Sequence, residues 1–558
     1  MTCNRAPKAH AHSVLSLLIT IAILIALVGP AQLTGRGQPS AKPTVVPTSQ
    51  DASPPLFLSA VTYDSGGEGP ISVAVADVNR DGTPDLVVAN VCSDNGCTDG
   101  AVGVLLGNGD GTFEPATTYD SGGSDASSAA VADVNGDGKP DLVVTNFYSD
   151  TVGVLLGNGD GTFQPVVTYG TAGSGGSNPY SVAVADVNGD GKPDLVVINY
   201  AMANFLSKTV AVLLGNGDGT FQPAVAYGSG GETPISVAIA DVNGDGKPDL
   251  LVANFRASSQ NLNGTVGVLL GNGDGTFQSP VAYASGGTGG PLSGGSVAVA
   301  DVNGDGKPDL LVANEGNGSV GVLLGNGDGT FQPVVTYGSG GSGANSVAVA
   351  DVNGDGKPDL LVATSLSNTV GVLLGHGDGT FQSAVTYGVG GFNRTSSVAV
   401  ADVNGDTRPD LLVGTCANSS CSIGAVSVLL NNTSLDTTPP RITISITPKR
   451  LRPPNRRIVP VRISGRITDA GSGVNVNSAT YTVKDEYGKV QSNGKIILEP
   501  GGAYSFTITL QVSRLGSDRD RHHYLDGRHY TITVQAKDNA GNLGSKTKAF
   551  IVSHDRGE

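Results

Sequence analysis

The chain has no tryptophan, 5 % aromatic residues and only 15 % charged residues. Without tryptophan it lacks the indole platform that suits stacking of sugar rings, and only tyrosine could substitute. Histidine is scarce too: His10, His12, His376, His522, His523, His529 and His554 are the full set. None belongs to a Ser or Cys nucleophile motif. Neither HExxH nor GxSxG occurs, which excludes the usual zinc-peptidase and nucleophile-elbow arrangements. His522-His523 with His529 has no accompanying ligand pattern and reads as a charged hairpin. Basic residues are nearly missing from the middle of the chain. Residues 51–440 hold 10 Lys and Arg against 39 Asp and Glu, a net charge of −29. Phosphate contacts need cationic side chains, so this acidic middle is a poor nucleic-acid binder and no nucleic-acid partner is expected. Residues 441–558 reverse the sign, at +9, and the first 50 residues add +4.

What is abundant is glycine, 82 of 558 residues, without a collagen period. That composition suits an all-β protein with many turns. The N-terminal segment has Arg5 and Lys8 before an apolar run of 16 residues, Ser13 to Val28, then Gly29-Pro30-Ala31. This is the layout of a secretory signal peptide ending near residue 31, with an uncleaved membrane anchor as the other reading. Either reading exports the rest of the chain, so the expected location is secreted or cell-surface. Residues 32–55 are rich in Pro, Ser and Thr and read as a linker.

The sequence Asp133-Val-Asn135-Gly-Asp137-Gly138-Lys139-Pro140-Asp141 occurs seven times with small variations, beginning at Asp77, Asp133, Asp186, Asp241, Asp301, Asp351 and Asp402. A period near 50 residues points to propellers, solenoids or arrays. Around each copy lie four short Val-rich runs bounded by Gly, Asn and Asp, the pattern of four strands. Four antiparallel strands per repeat make a propeller blade. Residues 56–64 match a fourth strand with no first three before it, and the seventh repeat stops after Leu430 without a fourth strand. The N-terminal strand is therefore expected to complete the last blade and remove the open edge. The expected fold is a seven-bladed β-propeller over residues 56–434, a linker at 435–440, and a small immunoglobulin-like β-sandwich over 441–553.

Within each copy, positions 1, 3, 5 and 9 carry oxygen donors, position 7 offers its backbone carbonyl, and Gly at position 6 permits the sharp turn. Three carboxylates without sulfur or imidazole suit a hard cation, calcium before magnesium. The candidate ligands are Asp77, Asn79, Asp81, Thr83 and Asp85 in the first copy, and Asp133, Asn135, Asp137, Lys139 and Asp141 in the second. They continue as Asp186, Asn188, Asp190, Lys192 and Asp194, then Asp241, Asn243, Asp245, Lys247 and Asp249. The fifth set is Asp301, Asn303, Asp305, Lys307 and Asp309, and the sixth is Asp351, Asn353, Asp355, Lys357 and Asp359. The seventh is Asp402, Asn404, Asp406, Arg408 and Asp410. There Thr407 replaces the glycine at position 6, which marks this copy as the weakest.

The loop opens like an EF-hand, but no helical pattern comes after it and no Glu stands at position 12. The pattern instead resembles the FG-GAP, or VCBS, repeats of the integrin α-subunit propeller and of many secreted bacterial proteins. The resemblance spans about residues 56–434 and implies calcium in the loops joining the first and second strands of each blade.

A second motif, Asn108-Gly-Asp110-Gly-Thr-Phe113, recurs between the third and fourth strands, with His376 in place of Asn in one copy. It loosely resembles the Asp-box hairpin and reads as structural. Alternating strand direction puts these turns on the same face as the Asp loops. The loops on the opposite face vary, so recognition is expected there. Tyr200, Phe205, Phe255 and Arg256 are its nominated contacts. Cys92 with Cys97, and Cys416 with Cys421, are equally spaced on that face and suit two local disulfides, with crosswise pairing as the alternative. In the last domain seven strands are expected, one of them at 495–498. The segments Thr468-Asp-Ala-Gly-Ser-Gly and Lys537-Asp-Asn-Ala-Gly-Asn542 resemble bacterial immunoglobulin-like modules.

The resulting functional expectation is a monomeric, non-catalytic binding or adhesion module whose partner is an extracellular protein or glycan. A purely structural surface protein and a polysaccharide- or phosphoester-cleaving propeller are the alternatives. Membrane contact is expected only if the N-terminal segment stays attached.

Overall fold

A computed structural model describes residues 56–552 apart from 94–97, 172–177, 201–207, 259, 289–294, 393–394, 434–437, 448–449, 452–457, 470–473, 477, 486, 500–501, 512–527 and 539–541. The apolar run at 13–28 and the linker after it lie outside these residues. No helix among the described residues is long and apolar enough to cross a membrane.

Each repeat folds as one antiparallel four-stranded sheet. The second is representative, with strands Ala126–Ala132, Asp141–Asn146, Thr151–Leu155 and Val167–Gly170. Its second strand is buried at every position, and its third at all but Thr151. Both faces of these strands are covered, which is why they read as unbroken runs of Val and Leu rather than as alternation. The fourth strand is mostly exposed and only four residues long. Its neighbour Phe163 is held instead by a single bridge to Gly157 across the turn.

Seven such sheets succeed one another along residues 61–429. The last combines Val398–Ala401, Asp410–Cys416 and Gly424–Leu429 with the N-terminal strand Val61–Asp64, which pairs antiparallel with Gly424–Leu429. The cores lie between sheets. Val87 and Val104 of the first sheet pack with Leu142 and Val144 of the second. The same arrangement repeats through successive pairs. Val73, Leu86 and Leu105 of the first sheet then pack with Val403, Leu412 and Val426 of the seventh. A cyclic order of this kind fits a β-propeller. Each fully buried Val or Leu contributes about 1.5–3 kcal/mol by leaving water, so every interface counts toward stability.

The missing turn of the last repeat is rebuilt from both ends of the array. In six sheets a Gly bridges a Phe across the turn, as Gly107 does with Phe113. In the seventh the bridge runs between Asn431 and Phe57. Phe57 sits edge-on to Tyr387 at 5.3 Å, as Phe113 does to Tyr63 at 5.4 Å. Phe57 thus takes the place of the seventh turn aromatic.

Beyond residue 440 two further sheets enclose one hydrophobic cluster. One pairs Arg441–Thr447, Ile458–Thr468 and Ala503–Gln511. The other contains Arg450–Leu451, Leu543–Val552, Arg528–Lys537, Thr480–Asp485 and Val490–Lys495. Val461, Ile463, Val483, Ile532 and Val534 are completely buried between them. The strand expected at 495–498 is displaced to Val490–Lys495. This edge strand pairs on one side only and is largely exposed, so it needs no apolar alternation to announce it.

Candidate metal centres

The Asp loops join the first and second strands of every repeat. In the second loop, Asp133 Oδ1 accepts from the Gly136 and Asp137 N–H groups at 2.7 and 3.1 Å, and its Oδ2 accepts from Gly138 N–H at 2.7 Å. Asn135 Oδ1 accepts from Asp137 N–H at 2.8 Å. Asp137 Oδ1 accepts from Lys139 N–H at 2.9 Å, and its other oxygen lies 3.4 Å from Lys139 Nζ. Asp141 is completely buried. Its Oδ2 takes Val134 N–H at 2.9 Å and its Oδ1 takes Gly157 N–H at 2.7 Å, so it clamps the loop to the turn of its own sheet. The same clamp recurs from Asp85 to Asp410. Gly136 and Gly138 both have positive φ, at 74° and 79°, which wraps the chain round the first Asp.

Electrostatics divides the carboxylates. The Lys139 backbone N–H and ammonium hold Asp137 below the usual carboxylate range. Burial, and then the charges of Asp137 and Asp133, push Asp141 up. Burial with the same like-charge effect pushes Asp359 up to about 7 and Asp410 to about 6. Each loop therefore holds an acid whose charged form burial and like charges disfavour, and a cation in the loop would relieve it. Calcium's preferred donors, carboxylate, amide and carbonyl oxygens, are all present. Among the described residues, however, no three acidic or imidazole or thiol groups are gathered closely enough to hold an ion as they stand. The loops are closed on their own N–H groups.

The seventh loop keeps this path despite its substitution. Thr407 sits at φ 68° and still donates its N–H to Asp402 Oδ2 at 2.6 Å. A left-handed conformation costs an L-residue roughly 1–2 kcal/mol, which glycine avoids. Thr407→Gly is therefore expected to raise stability by about 1 kcal/mol, read as a higher urea midpoint at unchanged slope. An unchanged or lower midpoint contradicts the strain.

In the turns of the second motif the side chains bond within the turn itself. Asp160 Oδ1 is occupied by the Thr162 N–H and hydroxyl, at 3.0 and 2.6 Å, and Asn158 Nδ2 donates to Thr162 Oγ1 at 2.9 Å. Phe163 stands edge-on to Tyr119 of the preceding sheet at 5.3 Å. Sequence reasoning overlooked Phe57, and also an asparagine clamp at the end of the second strand. Asn146 Nδ2 donates to Ser121 O at 2.9 Å, and Asn90, Asn199, Asn254 and Asn314 make the equivalent bond. The Asn that recurs two residues after the Asp-Leu-Val-Val or Asp-Leu-Leu-Val run in the first five repeats, replaced by Thr364 and Thr415 in the last two, was the available signal.

On the opposite face, Tyr200 and Phe255 are half-buried and pack against the cluster between the fourth and fifth sheets. Arg256 lies over the Phe255 ring, 5.7 Å from its centroid. Tyr200 also lies 5.8 Å from the Phe147 ring. Phe205 lies outside the described residues. Cys416 and Cys421 form a disulfide with Cα atoms 5.0 Å apart. Cys92 is also disulfide-bonded, and Cys97 lies outside the described residues.

The FG-GAP-like repeat matches residues 91–144, 133–197, 200–252, 255–312, 301–362 and 351–413, and the chain belongs to this family. No curated protein matches the chain. Among solved structures, it is similar to a candidate 6-phosphogluconolactonase from Bacteroides fragilis, 16 % identical, covering 62 % of this chain and 99 % of that one, with a TM-score of 0.44. A candidate 6-phosphogluconolactonase from Bacteroides uniformis is 15 % identical over 57 % of this chain and 85 % of that one, with a TM-score of 0.43. The periplasmic gluconolactonase of Pseudomonas aeruginosa is 17 % identical over 57 % and 86 %, with a TM-score of 0.40. The expectation that the chain is no enzyme is corrected by these names. All three are named as lactonases.

Proposed function

We propose that the chain is an exported, calcium-braced propeller of seven blades. In this reading the Asp loops hold the ions, and the loops on the opposite face engage an extracellular protein or glycan. The buried ninth-position carboxylate carries the reading: in all seven repeats it ties its loop to its turn. Next to it, positions 1 and 5 supply further negative charge. Seven ions would bring the −29 of residues 51–440 to −15. Positions 1, 3, 5 and 9 would hold the ion through side-chain oxygens and position 7 through its carbonyl. The ion supplies positive charge where the carboxylates repel. The two-sheet unit beyond residue 440 is read as an immunoglobulin-like module, and its basic balance suits an acidic surface polymer or the propeller itself.

Equilibrium dialysis of the chelator-stripped chain tests the cation. Calcium is expected to bind at sub-millimolar to millimolar concentration, as extracellular sites commonly do, and to resist equimolar magnesium. Absence of binding at several millimolar calcium, or displacement by equal magnesium, defeats the reading.

A further inference from the structure

The Asp loops are not separate units, because each touches the turn of the next sheet. Gly111 N–H, in the turn of the first sheet, donates at 3.0 Å to the carbonyl of Val403, position 2 of the seventh loop. Gly219 meets Val134, Gly329 meets Val242 and Gly379 meets Val302 in the same way, at 3.2, 3.1 and 3.1 Å. At the two remaining continuous interfaces the approach is as close. A Cβ placed on Gly161 would lie 3.5 Å from the Cβ of Asn79, and one on Gly275 3.4 Å from that of Asn188.

The seventh sheet has no such glycine, and a side chain takes its part. Asn431 Nδ2 donates to Val352 O at 2.8 Å, and Thr433 Oγ1 to the same oxygen at 3.2 Å. Val352 N–H in turn donates to Asp359 Oδ2 at 3.0 Å. Residue Val352 is therefore held on its N–H side by a candidate ligand and on its carbonyl side by the neighbouring sheet. The pattern has the same sense at every interface. Position 9 of a loop holds the Val at position 2, and the next sheet's turn seats on that Val. That turn is in turn clamped by its own ninth-position Asp, as Asn431 N–H is by Asp410 Oδ1 at 2.7 Å.

We infer that each cation loop is completed by the neighbouring sheet, the first sheet serving the seventh loop, so that Asn431, which is no ligand, is a positioning residue for the loop Asp351–Asp359. The inference rests on the calcium reading. A cation fixes the ninth carboxylate and hence the Val it bonds. A turn that already holds the Val carbonyl lowers the ordering that the ion must impose. Occupancy is thereby coupled between neighbours round the array.

Hydrogen exchange read by mass spectrometry across a calcium titration of the full chain tracks each loop separately. Losing one net hydrogen bond is worth about a fivefold change in a binding constant. In Asn431→Ala the calcium midpoint for protection of residues 351–359 is expected to rise about fivefold, while residues 133–141 keep theirs. Thr433→Val, a milder change that guards against misfolding of the first variant, is expected to move the same midpoint in the same direction by less. An unmoved 351–359 midpoint in both variants, or an equal rise in both loops, overturns the coupling while leaving calcium binding intact. Wild-type loops whose exchange ignores calcium overturn the calcium reading itself.

Discussion

Phe57→Ala is expected to cost about 3–5 kcal/mol of unfolding free energy, the range for a buried aromatic cut to Ala. Phe57 is only 2 % exposed. It joins the cluster between the sixth and seventh sheets, with Leu361, Val372 and Val413. Around it the N-terminal segment is held by Leu58 N–H to Leu430 O at 2.8 Å and Asn432 N–H to Leu56 O at 2.7 Å. Its loss therefore weakens the sheet assembled from both ends of the repeat array. Opening there exposes the edge of Gly424–Leu429, a strand buried throughout and prone to pair with other chains. Urea unfolding together with size-exclusion chromatography checks both effects. A variant within about 1 kcal/mol of wild type and still monomeric would mean that Phe57 does not secure the seam.

Chelation is expected to lower the melting temperature substantially. With calcium tenfold above the dissociation constant, each site adds about 1.4 kcal/mol to the folded state. Seven sites acting on one cooperative unit add about 10 kcal/mol. With about 2.1 cal/mol/K of unfolding entropy per residue over some 380 residues, that corresponds to roughly 12 °C. The chelated chain should also depend on pH in an unusual direction. Asp359 and Asp410 are pushed up to about 7 and about 6, chiefly by burial. The folded state then binds these protons more tightly than an unfolded carboxyl near 3.9 does. Their contribution is full below about pH 4 and is lost as pH rises through 6 and 7. Between pH 5 and 8 the chelated melting temperature is expected to fall, and calcium should remove most of that slope. Asp125, pushed up to about 6 by burial, lies outside the loops, so its share persists in calcium. A melt indifferent to chelator at pH 7.5 contradicts the brace, and a chelated melt that rises with pH contradicts the electrostatic account of the ninth Asp.

The Asp loops were legible because their chemistry is local: nine residues contain every donor and the Gly that permits the turn. The closing strand was legible because Val61-Thr-Tyr-Asp64 repeats the pattern of Thr117-Thr-Tyr-Asp120. The role of Phe57 was not, since its bridge partner Asn431 lies across the whole array and carries no trace of the Gly-Asn-Gly-Asp-Gly-Thr-Phe turn that it replaces. Nor was the closed state of the loops, where Asp133 spends both oxygens on three backbone N–H groups. Donor type can be read from sequence, whereas donor direction depends on rotamers. Tyr200 and Phe255 looked like loop contacts because aromatic residues in variable loops invite that reading. Their side chains also pack at the edge of an inter-sheet core, which the sequence did not announce. The edge strand Val490–Lys495 is polar and hid for the opposite reason, having almost nothing to bury.

An anomalous-difference map from crystals grown in calcium tests the central claim most directly. The account predicts peaks inside the Asp loops, each within oxygen-ligand distance of positions 1, 3, 5 and 9, about 2.3–2.6 Å, with the weakest in the loop containing Thr407. Well-ordered loops without peaks, their first and fifth carboxylates still turned to backbone N–H groups in several millimolar calcium, would contradict it.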